Sequence, residues 1–95
     1  MDVIYPRCAG LDVHKQTVVA CARVAADGPL LQEVRTFATT TSGLLTLCDW
    51  LDSFGVEHVA MEATGVYWQA VWHILEEDFE LTLCNARHVK NVALV

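Results

Sequence analysis

One stretch in the middle of the chain changes from the pattern of a β-strand to that of an α-helix, and an acidic residue lies at the change. Residues 56–61 are short and apolar and predict a strand buried on both faces. The residues from Val66 onward follow a helical period. Glu62 therefore falls at the carboxyl end of a strand, where open α/β folds bind their ligands. This stretch favours an α/β fold with Glu62 close to a ligand site.

The remaining segments give a predicted order of βββαβαβ. Polar or glycine-containing turns separate the segments, including an Asp-Gly hairpin signal at residues 26–29. Asn85 is positioned to cap a short closing helix. The predicted boundaries, in chain order, are 7–13, 17–24, 30–38, 42–54, 56–61, 66–79 and 80–84.

This order brings two acids together. Three antiparallel strands followed by right-handed crossovers form a mixed five-stranded sheet in which the first strand pairs with the fourth. Asp12 and Glu62 would then lie side by side on strands about 4.8 Å apart. Gly10 and Ala60 are their small neighbours on that face and leave space above the carboxylates. Clustered carboxylates suit Mg²⁺ or Mn²⁺, so we expect a metal site suited to phosphoryl transfer.

The charge and hydropathy of the chain limit its partners. A net charge of -6 argues against strong nucleic-acid binding by this chain alone. Four residues are candidate nucleic-acid contacts: His14, Lys15, Arg87 and Lys90. A mean hydropathy of +0.33 indicates either thorough burial or an apolar surface that meets a partner or a missing part of the chain. We also expect a homo-oligomer.

The chain has neither a membrane span nor a signal peptide in its sequence pattern, which predicts a cytoplasmic protein without a membrane partner. Its four cysteines are widely spaced and predict small, reduced residues of the core. Trp68 and Trp72 fall on the apolar face of the second helix. We expect them to pack against the sheet rather than stack on bases.

Three segments resemble a known family. Residues 10–15 (Gly-Leu-Asp-Val-His-Lys) resemble the first-acid motif of the DEDD transposases of the insertion sequence 110 family. Residues 61–68 (Met-Glu-Ala-Thr-Gly-Val-Tyr-Trp) resemble their second-acid motif, and this match is the most specific. Residues 85–92 resemble the segment that follows the fifth strand. The similarity thus extends along nearly the whole chain.

The resemblance implies an RNase H-like N-terminal domain, similar to Holliday-junction resolvases, in which four acids hold Mg²⁺. Asp12 would be the first acid and Glu62 the second. It also implies DNA strand exchange at the ends of an insertion sequence. A separate C-terminal domain with a nucleophilic serine and, in some members, a structured guide RNA complete the implied machinery.

The chain departs from the family pattern after residue 92. The family continues there towards its third and fourth acids, whereas this sequence ends at Val95 and has no Asp or Glu after Glu80. We therefore expect residues 1–95 to form one incomplete RNase H-like domain, inactive alone and weak in metal binding.

Two alternatives stay open. The first is a non-catalytic module, derived from a transposase, whose apolar surface dimerises or docks on another protein. The second is an actin-like or sugar-kinase-like ATP-binding half, because that superfamily also begins with an aspartate on the first strand. Its phosphate loop needs Gly and Thr or Ser after the aspartate, and residues 13–15 (Val-His-Lys) supply neither.

Overall fold

A computed structural model describes residues 6–25, 28–63 and 65–85 of the chain. These residues form a single five-stranded sheet with the strand order β3-β2-β1-β4-β5. The elements, in chain order, are β1 Arg7–Val13, β2 Thr17–Val24, β3 Leu31–Ala38, α1 Thr41–Ser53, β4 His58–Ala63, α2 Trp68–Leu75 and β5 Glu80–Asn85.

The sheet has an antiparallel half and a parallel half that meet at β1. Strands β1, β2 and β3 pair antiparallel in chain order, whereas β4 pairs parallel with both β1 and β5. The two crossovers to parallel strands each contain one helix, as parallel pairing requires. The predicted mixed α/β sheet is therefore confirmed, and it is compatible with an RNase H-like fold.

Alternation of side chains gives the sheet one face that packs on the helices. In β1, Leu11 and Val13 are buried while Asp12 between them is exposed. The same period of two holds in β2, where Val18 and Ala20 are fully buried. The buried side chains of the sheet and helices make one core cluster, which includes Ala9, Leu11, Val13, Val18, Ala20, Ala22, Phe37, Leu44, Leu47, Leu51, Val59, Met61, Val71 and Leu75.

Helix α1 follows from local signals at both of its ends. The Thr40 hydroxyl accepts a hydrogen bond of 3.1 Å from the Gly43 amide, which caps the amino end. Gly55 has a φ of +67°, a conformation that suits glycine, and it stops the helix as the sequence predicts. Between these ends, Leu44, Leu47 and Leu51 form a buried stripe against the sheet.

Several contacts join the helices to the sheet and to each other. The Arg7 guanidinium donates a hydrogen bond of 2.7 Å to the Phe54 carbonyl, which ties the start of β1 to the end of α1. The Cys48 thiol of α1 donates to the Ile74 carbonyl of α2 over 3.8 Å. Burial, together with nearby aspartates, raises the pKa of the Cys48 thiol, so it stays protonated at neutral pH. All four cysteines are free thiols.

Two sequence expectations differ from the structure, and a third lies outside the residues that it describes. The strand expected at 56–61 is β4 at His58–Ala63, and it is buried on one face only, because both described helices pack on the same side of the sheet. The helix expected at 66–79 is shorter, since Gly65 forms a turn with a φ of +68° and α2 begins at Trp68. The closing helix after Asn85 lies outside the described residues.

None of the helices in the described ranges is long and apolar enough to cross a membrane.

The leucines of α1 allow a matched test of the core. Leu47 is fully buried, whereas Leu45 in the same helix is 53% exposed. We expect Leu47→Ala to lower the free energy of unfolding by about 2–5 kcal/mol, because it removes buried apolar surface and leaves a cavity. Leu45→Ala should change it by less than about 0.5 kcal/mol. Urea denaturation followed by circular dichroism measures both, and equal losses would contradict this packing.

Candidate functional site

The sheet face opposite the helices is uncovered in the described part of the chain. Its central strands carry alternating residues of β1 and β4 that point away from the core. A shallow hollow on this face contains the two acids singled out in the sequence. The residues that line it are Gly10, Leu11, Asp12, Val19, Cys21, Val34, Ala60, Met61, Glu62 and Cys84.

The register of β1 and β4 places the two acids on adjacent strands. Asp12 pairs with Glu62, one residue before the carboxyl end of each strand. Parallel neighbours of this kind are about 4.8 Å apart, so one ion could reach both carboxylates. The Asp12 side chain is 57% exposed and Glu62 is half-buried, so both are accessible to solvent. The expected juxtaposition is therefore present.

The space above the acids comes from small neighbours. Gly10 and Ala60 pair with each other in the next row of the same face. A methyl group added at Gly10 would have no neighbouring atom within 4 Å. The hollow is thus open rather than filled by side chains, which leaves room for an ion and its waters.

His14 lies against the first acid. Its Nε2 donates a hydrogen bond of 2.9 Å to Oδ2 of Asp12, and both side chains are more than half exposed. The sequence suggested His14 as a nucleic-acid contact, and this hydrogen bond was not anticipated. The Asp-x-His spacing could have predicted this contact, because residues two apart in an extended chain point to the same side. His14 therefore orients the Asp12 carboxylate.

The turn that carries His14 and Lys15 is held by backbone contacts. The His14 amide donates to the Thr17 carbonyl over 2.8 Å. The Thr39 hydroxyl donates to the Lys15 carbonyl over 2.9 Å, which fixes the turn to the end of β3. Lys15 is exposed on this turn, three residues after Asp12.

Other candidate residues do not join the acids. Within the described ranges, no group of three or more His, Cys, Asp or Glu residues could hold a metal ion. Arg87 and Lys90 lie outside the described residues. Trp68 and Trp72 are half-buried against the core on the opposite side of the sheet, with ring centroids 5.9 Å apart in an edge-to-face arrangement. Their packing agrees with the sequence expectation.

Comparison with known proteins identifies the family. The model of a transposase family, the DEDD transposases of insertion sequence 110, matches residues 9–94. The chain belongs to this transposase family. The matched range includes β1 with Asp12 and β4 with Glu62. No curated protein matches the chain.

Solved structures are similar to this transposase chain at low sequence identity. An exopolyphosphatase from Cytophaga hutchinsonii has a TM-score of 0.51 and 13% identity, covering 85% of this chain and 35% of its own. The Ppx/GppA phosphatase from Aquifex aeolicus has a TM-score of 0.47 and 15% identity, covering 86% of this chain and 36% of its own. The chain thus spans about a third of these proteins, and the likeness to the exopolyphosphatase is one of fold alone.

The two acids should make the metal-free protein less stable than a variant with one of them neutralised. Like charges directly opposite on adjacent strands are destabilising by a few tenths to about 1 kcal/mol. We therefore expect Glu62→Gln to raise the free energy of unfolding by about 0.2–1 kcal/mol in the presence of EDTA. Glu77→Gln, which neutralises an exposed acid outside the sheet, is the matched control. Urea denaturation measures both, and destabilisation by Glu62→Gln would contradict the charge repulsion.

Proposed function

We propose that this chain is the part of an insertion-sequence transposase that supplies two carboxylates, Asp12 and Glu62, to a catalytic Mg²⁺ or Mn²⁺ ion. The reaction is DNA strand cleavage and transfer at the ends of the mobile element, carried out by the full-length parent. The observation that supports it most strongly is the pairing of Asp12 with Glu62 on the uncovered sheet face of a transposase-family chain.

The residues present fit a hard divalent cation in part. Carboxylate oxygens are the ligands that Mg²⁺ prefers, and an open, hydrated site lets the ion keep several waters. When bound, such an ion would activate a water or hydroxyl nucleophile and stabilise charge on the phosphate. Two carboxylates alone should bind weakly, and the resemblance implies further acids in the complete catalytic site.

The chain's own residues have separate roles in this proposal. Asp12 and Glu62 bind the ion, and the His14 imidazole orients Asp12 through the hydrogen bond between Nε2 and Oδ2. Lys15, exposed on the same turn, contacts a DNA phosphate. Arg87 and Lys90 are proposed as further phosphate contacts. Because the net charge of this chain is -6, most of the DNA-binding affinity comes from elsewhere in the parent protein or from a guide RNA.

The family match favours this function over the ATP-binding alternative. The likeness to an exopolyphosphatase at 13% identity concerns the fold, and folds of this kind carry many activities. The residues after Asp12 are Val-His-Lys, without the Gly and Thr or Ser that a phosphate loop of the ATP-binding class needs. The single domain proposed for residues 1–95 is accordingly a transposase domain of the RNase H-like type.

A metal titration tests the proposal. We expect Mg²⁺ and Mn²⁺ to bind the 95-residue chain with a dissociation constant on the order of millimolar, because only two anionic ligands are available. In Mg²⁺ titrations, NMR shifts should be saturable at both Asp12 and Glu62. In Mn²⁺ titrations, paramagnetic broadening should centre on the same two residues.

Two variants make the titration specific. Asp12→Asn should abolish the saturable shift at Glu62, since the two acids share one ion. Glu77→Gln should leave the titration unchanged, because its acid lies outside the sheet. A folded protein whose Asp12 and Glu62 do not respond would instead favour the non-catalytic interaction module. Broadening spread evenly over all surface acids would also count against a defined site.

A further inference from the structure

Strand β3 forms an edge of the sheet. Among the residues that the structure describes, β3 pairs with β2 on one side and has no partner strand on the other. All of its residues except Phe37 are exposed, and Leu31 and Val34 are 61% and 62% exposed. Natural edge strands are usually protected by bulges, prolines, charged side chains or short length. The two charged residues of β3, Glu33 and Arg35, are of opposite sign and lie on the helix face, because they pair with the buried Ala22 and Ala20. This eight-residue edge contains no proline.

We propose that β3 pairs antiparallel with β3 of a second copy of the chain, about a two-fold axis that passes through Val34. The pairing would join the two five-stranded sheets into one sheet of ten strands. The occupant of the edge is therefore the same strand of an identical molecule.

Symmetry limits the register of such a pair. A two-fold axis between antiparallel strands is perpendicular to the sheet, so it must pass through a residue that faces its own copy. If the axis passed between two residues of the strand, a residue that faces the helices would lie opposite one that faces the uncovered side, because side chains alternate along a strand. Residues directly opposite each other in a strand pair must share a face, so this position of the axis is excluded. Near the middle of β3, three residues could lie on the axis: Glu33, Val34 and Arg35.

Charge selects Val34 from these three. An axis at Glu33 would oppose two glutamates, and an axis at Arg35 would oppose two arginines. With Val34 on the axis, Glu33 of each copy lies directly opposite Arg35 of the other, which gives two complementary charge pairs. Opposite charges across a strand pair stabilise it, and like charges destabilise it. The strand is thus self-complementary in one central register.

Apolar contacts support the same register. The two copies of Val34 would meet on the uncovered face. On the helix face, Leu31 of one copy would lie opposite Phe37 of the other. Phe37 packs against Trp50 of α1, with ring centroids 5.4 Å apart, so the exposed Leu31 would extend an existing apolar cluster.

The pairing has a consequence for the acids, and this step rests on the proposed function. A two-fold axis perpendicular to the sheet keeps both uncovered faces on the same side. Five strand spacings and a four-residue offset along the strand would separate the two copies of Asp12 by roughly 25–30 Å. Two metal sites would therefore face a DNA substrate from the same side of the dimer.

Reversal of the edge charges tests the interface. A single strand pair is a small interface, so we expect the 95-residue chain to dimerise with a dissociation constant on the order of tens of micromolar. Arg35→Glu or Glu33→Arg alone turns both charge pairs repulsive and should raise that constant about 10- to 30-fold. Sedimentation equilibrium, with a monomer mass of 10.5 kDa, measures the change.

Variants that exchange the two charges distinguish this register from every other register. The double variant Glu33→Arg with Arg35→Glu restores both pairs and should dimerise like the original chain. An equimolar mixture of the two single variants should form a heterodimer, whereas each alone should be largely monomeric. Glu77→Arg, a charge reversal of an exposed residue outside β3, should leave dimerisation unchanged. Circular dichroism melts check that each variant is folded.

Two results would overturn the proposal. One is a chain that stays monomeric up to about 1 mM, well above the dissociation constant expected for this interface. The other is a dimer that the single charge reversals do not weaken, since it must then use a different surface. Neither result depends on metal binding at Asp12 and Glu62, so failure of this interface is distinguishable from failure of the proposed function.

Discussion

The parallel pairing of β1 with β4 is the constraint on which the rest of the structure depends. It joins the antiparallel strands to the parallel strands. Its register also decides which residues of β1 and β4 lie side by side on each face of the sheet. Leu11 and Met61 pair on the buried face, and the next residues, Asp12 and Glu62, pair on the open one. A shift of one residue would exchange the faces of a strand. Burial of the core therefore positions the acids.

The residues that stabilise the fold and the two acids therefore lie on opposite faces of the same sheet. The helix face contributes the buried apolar surface, with Leu47, Leu51 and Met61 fully enclosed. The other face holds the two neighbouring carboxylates beside Gly10 and Ala60, which bury little apolar surface there. The exposure of Asp12 keeps the repulsion between the acids small, because water screens it. The sheet can thus retain a charged pair without losing its fold.

The elements at the ends of the strands define the surroundings of the acids. The turn after β1 directs His14 back to Asp12, and Thr39 at the end of β3 holds that turn in place. Gly65, with its positive φ, turns the chain after β4 so that α2 packs on the far side of the sheet. The acids consequently lie next to these turns, one residue before the carboxyl ends of two adjacent parallel strands.

The sequence predicted the strand order, the bounds of β1 and β2, and the neighbouring acids. These features follow from local signals: a period of two in the strands, a period of 3.6 in the helices, and the handedness of crossovers. Side chains alternate in β1, so any register that buries Leu11 and Val13 places Asp12 on the opposite face of the sheet. The motifs at residues 10–15 and 61–68 likewise indicated the transposase family that the family comparison identifies.

Only the tertiary structure decided which faces are covered and how side chains meet across turns. Residues 56–61 are apolar enough for a strand buried on both sides. Ala60 is nevertheless exposed, because both described helices pack on the other face of the sheet. The placement of the helices depends on the whole chain. The hydrogen bond from His14 to Asp12 likewise depends on the shape of a turn. The sequence by itself determined which residues could be buried, since alternation is local, and it predicted the two acids as neighbours through the order of the strands. Tertiary packing decided which face of the sheet the helices cover.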